Sequence, residues 1–239
     1  MPAKNEDLHG FVPDASSVVM LIIDVINRFD FPEGQDLLEY ARPMTDRIVE
    51  LKARAREAQV PVIYVNDNFG RWRSDFRKLL AAVLDDTAAG HSVARKLLPE
   101  SDDYFVLKPK HSAFFSTTLD TLLQYLGAKT LIITGVAGNI CVLFTANDAF
   151  LRDYNVVVPS DCCASNTREA NDHALDLMRT VLHADTSPSH EVDFKRLLCE
   201  GDLDAQPQDT EQSSSEAPQS GGSSPPRPQP QLAEMGSSS

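Results

Sequence analysis

The sequence predicts one α/β domain, a doubly wound and mainly parallel sheet with helices on both faces. Three observations carry this. Short, near-continuous apolar runs rich in Val and Ile imply strands buried on both faces. Stretches of helical periodicity alternate with them, as a parallel sheet with crossover helices requires. The composition then changes abruptly at Gly201, after a length that suits a single core. The expected division is an N-terminal extension over 1–15, a folded domain over 16–200 and a disordered Ser/Pro/Gln-rich acidic tail over 201–239.

The elements follow in chain order. Val18–Asp24 is a β-branched run that ends on a carboxylate. Met44–Gln59 places Ile48, Leu51 and Ala55 at helical spacing, with charges opposite. Pro61–Asn66 is a second strand and Tyr104–Lys108 a third. Ser116–Leu126 is a helix stopped by Gly127, the residue best suited to the left-handed turn after a helix. Thr130–Thr134 is a fourth strand, Cys141–Tyr154 a helix, Val156–Val158 a fifth strand and Asn166–His183 a helix. A short strand near Asp185 and a helix over His190–Leu198 complete the domain.

Composition excludes several functions. Of the formal net charge of -13, the 39 residues from Gly201 hold -5, which leaves -8 on the first 200. A chain this acidic repels a phosphate backbone, so nucleic acid is not an expected partner. No run approaches the roughly 20 apolar residues of a membrane span, and the first ten residues lack the apolar stretch of a secretory signal. Four cysteines are too few for a disulfide framework. The expectation is a cytoplasmic protein acting on a small molecule. The tail's isolated apolar residues bury too little surface to offset ordering entropy. Its prolines around Arg227 suit either a solvated spacer or a polyproline II segment offered to a partner.

In an open parallel sheet, sites form beyond the carboxyl ends of the strands. The first strand ends in Asp24, the second in Asn66-Asp67-Asn68 and the third in Lys108. The fourth runs through Gly135-Val-Ala-Gly-Asn-Ile-Cys141 into a helix. A carboxylate, an ammonium and a thiol thus converge on one edge. Singly, Asp24 suits a helix cap, Lys108 a surface lysine and Cys141 a small buried residue. Together they suit one chemistry. A thiolate is stabilised at a helix N-terminus and beside an ammonium, while a carboxylate accepts the thiol proton. The loop's backbone N–H groups would then bind the oxyanion, with Gly138 permitting close approach.

These segments resemble the isochorismatase-like cysteine hydrolases, a superfamily that includes nicotinamidases, N-carbamoylsarcosine amidohydrolases, biuret hydrolases and isochorismatases. The resemblance spans about Val18 to Thr186. It rests on Leu-Ile-Ile-Asp24-Val, Val106-Leu-Lys108-Pro-Lys-His-Ser-Ala-Phe114 and Gly135-Val-Ala-Gly-Asn-Ile-Cys141-Val-Leu-Phe-Thr145-Ala-Asn-Asp148-Ala. It implies that Cys141 is the nucleophile, Asp24 the general base that later acts as an acid, and Lys108 the electrostatic partner. It further implies a non-proline cis peptide at Val136-Ala137, with Ala137 and Cys141 as backbone oxyanion donors. Lys110 lies on the same strand face as Lys108, so spacing alone does not separate them; the resemblance selects Lys108. His111 is either a second base or a hydrogen-bonded structural residue.

Nicotinamidases hold a metal through an Asp after the second strand, a His two residues on and a second His farther along. Here Asp67 is present, but Phe69 stands where the first imidazole is needed, and no His follows before His91. The resemblance is therefore to a subgroup without that metal, and no cofactor is expected. Arg71, Trp72 and Arg73 next to Asp67 and Asn68 form a polar, aromatic cluster suited to substrate binding or to a subunit contact. Phe29, Phe31 and Phe115 suit an apolar wall or the core. Cys162 and Cys163 read as buried inert thiols, and Cys199 as free. The expected activity is hydrolysis of a small non-peptide amide, ureido or carbamoyl C–N bond through a thioester. The alternatives are vinyl-ether hydrolysis of the isochorismatase type and a catalytically silent scaffold that uses its tail. The resemblance also implies a homo-oligomer, a dimer or tetramer.

Overall fold

Six consecutive apolar residues with no exposed surface form β1 (Val18–Ile23). Such a strand belongs at the centre of a sheet covered on both sides. The computed structural model, which describes residues 15–70 and 75–203, places it there. These residues fall within the unit Met1–Gln206; residues 1–14, 71–74 and, of the expected tail, 204–239 lie outside the described residues.

The chain continues through α1 (Gly34–Glu57), β2 (Val62–Asp67), α2 (Phe76–Val83), α3 (His91–Lys96) and β3 (Tyr104–Lys108). It then runs through α4 (Leu119–Leu126), β4 (Thr130–Val136), a π-helical turn (Gly138–Val142), α5 (Leu143–Phe150) and β5 (Asn155–Val157). β6 (Cys163–Ala164), α6 (Arg168–Val181) and α7 (Phe194–Leu203) complete it. Strand order is β3-β2-β1-β4-β5, every pairing is parallel, and β6 pairs with the far end of β4.

Alternation along β1 divides the core. Val18, Met20 and Ile22 pack with α1, α2, α3 and α7. Val19, Leu21 and Ile23 pack with α4, α5 and α6. The winding reverses between β1 and β4, whose register pairs Ile23 with Gly135, so a crevice opens at the carboxyl ends of those two strands. Among the described residues no helix is long and apolar enough to cross a membrane.

The five expected strands are present, and the largest departure is α1. The helix expected from Met44 begins at Gly34 and carries Pro43 inside. Proline in a helix interior costs about 3 kcal/mol. Leu37, Leu38 and Ala41 bury on the same face as Met44, Ile48 and Leu51, and that burial outweighs the cost. α2, α3 and β6 were not anticipated. The expected strand near Asp185 is a single bridge, Val157 to Asp185. The last helix starts at Phe194, after a 3-10 turn over Ser189–Glu191, and reaches Leu203, into the stretch read as tail.

Candidate functional site

Asp24 follows the last residue of β1 in the left-handed region, φ 53. Aspartate tolerates that conformation better than most residues. Its N–H still donates to Val65 O at 2.9 Å, so the backbone stays tied to β2 while the side chain leaves the pleat. Asp24 Oδ1 accepts the Asp67 N–H at 2.6 Å, and Oδ2 lies 2.8 Å from Lys108 Nζ. Lys108, the last residue of β3, is fully buried. Its ammonium also lies 3.5 Å from Asp67 Oδ2, 3.4 Å from Cys141 Sγ and 3.2 Å from the Lys110 carbonyl.

Cys141 sits in the π-helical turn between β4 and α5, a wide turn that recurs at functional sites. Gly135 enters the turn at φ 115, where a Cβ would lie 2.0 Å from the Ile23 carbonyl oxygen, so only glycine fits. The Val136-Ala137 peptide is cis, as the resemblance implied. Within the turn the Asn139 N–H donates to Ser165 Oγ at 3.0 Å, and the Ile140 and Val142 N–H groups converge on the Ala137 carbonyl. On the far side, buried Thr145 donates to the Cys141 carbonyl at 2.7 Å and accepts the Ala113 N–H at 3.0 Å. Ser112 Oγ donates to the Asp148 carboxylate. The loop after Lys108 is therefore stapled to the helix after Cys141.

The electrostatics differ from the sequence expectation in one respect. Burial, reinforced by the Asp24 carboxylate, pushes the Cys141 thiol up to about 12 and overcomes the Lys108 ammonium. The helix end and the ammonium do not leave a standing thiolate. Asp24 is raised above the ordinary carboxylate value by burial, which outweighs its ion pair with Lys108. Burial opposes the charge on Lys108, but Asp24, Cys141 and Asp67 together hold it above the usual lysine value. A protonated thiol thus stands beside an unusually basic carboxylate, and a buried ammonium touches both.

The other expected residues divide. Asp67 and Asn68 lie at the same edge; the Asn68 N–H donates to Lys108 O at 3.0 Å. Phe115 is exposed in the loop after β3. Phe29 is 1% exposed and belongs to the core, its N–H held by Asn27 Oδ1 at 2.8 Å. Arg71 and Trp72 lie outside the described residues. Lys110 is exposed and contributes only its carbonyl, while His111 is exposed with its ring 5.7 Å from that of Phe144. Cys162 and Cys163 are buried free thiols and Cys199 is exposed.

The nicotinamidase-type metal does not fit these residues. Asp67 is engaged with Lys108, Phe69 is exposed, and among the described residues no three His, Cys, Asp or Glu side chains are placed to share an ion.

Sequence reasoning missed Ser165 and Thr145. Thr145 lies four residues after Cys141, the helical spacing at which a hydroxyl reaches back to a carbonyl, so a signal existed. Ser165 carries none, because β6 brings it in from a distant stretch.

Known proteins resemble this chain in sequence and in fold. Residues 18–187 match the Isochorismatase domain family. The uncharacterized isochorismatase family protein YaaI of Bacillus subtilis is 42% identical over 173 residues, 72% of this chain and 94% of its own length. Ureidoacrylate amidohydrolase RutB of Methylorubrum extorquens is 28% identical over 193 residues, 67% of this chain and 74% of its own. The crystal structure of N-carbamoylsarcosine amidase from Thermoplasma acidophilum is alike in fold, with a TM-score of 0.57 at 24% identity over 74% of this chain and 99% of that one. With more than two thirds of its length matched and an edge built from three strand ends, the chain belongs to the isochorismatase family.

Proposed function

We propose that this protein is a metal-independent cysteine hydrolase of a small non-peptide amide, ureido or carbamoyl C–N bond. The observation that carries the reading is the buried contact series Asp24–Lys108–Cys141, 2.8 and 3.4 Å, at the crevice between β1 and β4. The names of RutB and N-carbamoylsarcosine amidase lend support at the level of substrate class.

The residues perform the reaction in two halves. Asp24 takes the thiol proton as Sγ attacks the carbonyl carbon, and the C–S bond forms as the carbonyl oxygen becomes an oxyanion. Backbone N–H groups of Ala137 and Cys141 bind that oxyanion. Collapse breaks the C–N bond, protonated Asp24 returns its proton to the leaving nitrogen, and ammonia or an amine departs from the thioester. Water then attacks, again losing a proton to Asp24. The C–S bond breaks to release the acid, and the proton on Asp24 returns to sulfur. Because the resting thiol is protonated, proton transfer to Asp24 accompanies attack, and Lys108 steadies the negative charge as it moves.

Asp67, Asn68, Arg71, Trp72 and Phe115 are the proposed substrate contacts. Phe29, part of the core, is assigned only to support Phe31, whose ring it stacks against at 6.3 Å. A homo-oligomer and a reducing, cytoplasmic setting for the free thiols complete the reading. The test is an ammonia-release screen over aliphatic amides, ureido acids, carbamoyl amino acids and pyridine carboxamides, with Cys141→Ala as the blank. Cysteine-dependent ammonia release from one class is the expected result. Ammonia release that survives Cys141→Ala would assign thiol-independent amide hydrolysis, and thiol-independent cleavage of a vinyl ether, which releases no ammonia, would assign isochorismatase-type chemistry. No turnover, with an unreactive thiol, would favour a scaffold.

A further inference from the structure

We infer that Ser165 is a positioning residue that holds the nucleophile turn in register with Asp24 and Lys108, a role that rests on the cysteine-hydrolase reading. Ser165 follows β6, whose two residues pair with the end of β4 through Gly135–Cys163 and Val136–Ala164. That pairing delivers the hydroxyl to the turn just as β4 gives way to it. Ser165 is 1% exposed, so bulk water does not replace what it does.

Its oxygen is used on both sides. It accepts the Asn139 N–H at 3.0 Å and donates to Asn171 Oδ1, also at 3.0 Å. Asn171, in α6, donates in turn to the Cys163 carbonyl at 3.4 Å, which closes a bracket around the turn. The fit is tight. A Cβ on Gly138 would lie 2.3 Å from Asn171 Oδ1 and 3.1 Å from Ser165 Oγ. Asn139 stands two residues before Cys141, so the direction of its N–H fixes the start of the turn that carries the sulfur. Thr145 and Ala113 secure the other end of the turn. Ser165 thus supplies the anchor on the side that faces away from Lys108.

A buried hydroxyl that merely satisfies a donor would affect stability alone. A positioning hydroxyl must also affect whether Asp24 can take the proton from Cys141. Two measurements on the full chain separate these roles without a known substrate. The first is the rate of Cys141 alkylation by iodoacetamide across pH, read by intact mass, in wild type, Ser165→Ala, Ser165→Thr and each combined with Asp24→Asn. The second is hydrogen exchange of the segment 138–142.

The expected result is at least tenfold slower alkylation in Ser165→Ala, with faster exchange of 138–142 and recovery of both in Ser165→Thr. Asp24→Asn should change the alkylation rate in the otherwise wild-type chain and change it far less in Ser165→Ala, because sulfur and carboxylate are already out of register. Wild-type alkylation and exchange in Ser165→Ala overturn the inference. So do fully additive effects of the Ser165 and Asp24 substitutions, or equal losses in Ser165→Ala and Ser165→Thr that follow melting temperature. A wild-type thiol that resists alkylation, with no effect of Asp24→Asn, sinks the hydrolase reading and the positioning role with it. Exchange that still separates Ser165→Ala from Ser165→Thr would then leave Ser165 a purely structural anchor.

Discussion

β3 carries a buried lysine–carboxylate cluster at each end, and the two are built for opposite ends. Asp103, just before β3, has a side chain 2% exposed and accepts Lys52 Nζ at 2.7 Å, Arg56 Nη2 at 2.8 Å and the Glu100 N–H at 2.7 Å. Lys52 also reaches the Tyr64 hydroxyl at 3.1 Å, and burial with Asp103 and Glu100 nearby pushes that hydroxyl well above the ordinary tyrosine value. Every charge there meets its complement, and no thiol is part of the cluster. At the other end Lys108 serves two carboxylates, and Asp24, raised by burial, faces a thiol that holds its proton. A buried ion pair is therefore not a functional signal by itself. What distinguishes the carboxyl edge is a thiol in contact with a carboxylate whose proton affinity burial has raised.

Substitutions at the two ends should separate accordingly. The largest effect belongs to Cys141→Ala, with kcat down by roughly 10⁴-fold or more and an unchanged melting temperature, measured by ammonia release and thermal denaturation. Asp24→Asn follows, with a loss on the order of 10³-fold. In the wild type, Asp24 acts as a base only when ionised, and burial raises its pKa. Activity should therefore climb with pH along a limb displaced upward from the ordinary aspartate value of about 3.9, and a kcat/KM profile should show it. A limb at or below that value would mean that another group supplies the base.

Asp103→Ala should do the converse. It strands the Lys52 ammonium in the interior, with Glu100 3.5 Å away as a partial substitute. Stability should fall by about 3 kcal/mol in urea titration, while kcat per folded molecule holds. A large kcat loss there would erase the distinction between the two ends. Smallest is Phe115→Ala, at an exposed position and a proposed substrate contact, expected to change stability by less than about 0.5 kcal/mol and to alter KM rather than kcat.

Much of this was legible because strand ends are written locally. Asp24 and Lys108 each close an apolar run, and Cys141 opens a helix, so topology alone brings them to one edge. The cluster around Asp103 was not, since Lys52 and Asp103 meet across 51 residues and neither sits in an unusual local pattern. Ser165 escaped for the same reason. The true start of α1 was visible in the spacing of Leu37, Leu38 and Ala41, which continues the buried face of Met44, Ile48 and Leu51. The thiol's protonation was misjudged because spacing reports neighbours and not the loss of water around them.

The left-handed backbone at Asp24 has an evolutionary consequence. A residue continuing the pleat of β1 would point into one of two apolar layers, where a carboxylate has no place. By stepping out of the pleat, position 24 lets the most shielded strand deliver a charge to its tip. On the proposed mechanism, that position must satisfy a dihedral angle and a chemical task together. Asparagine meets the first and glutamate only the second, so neutral drift has almost nowhere to go there.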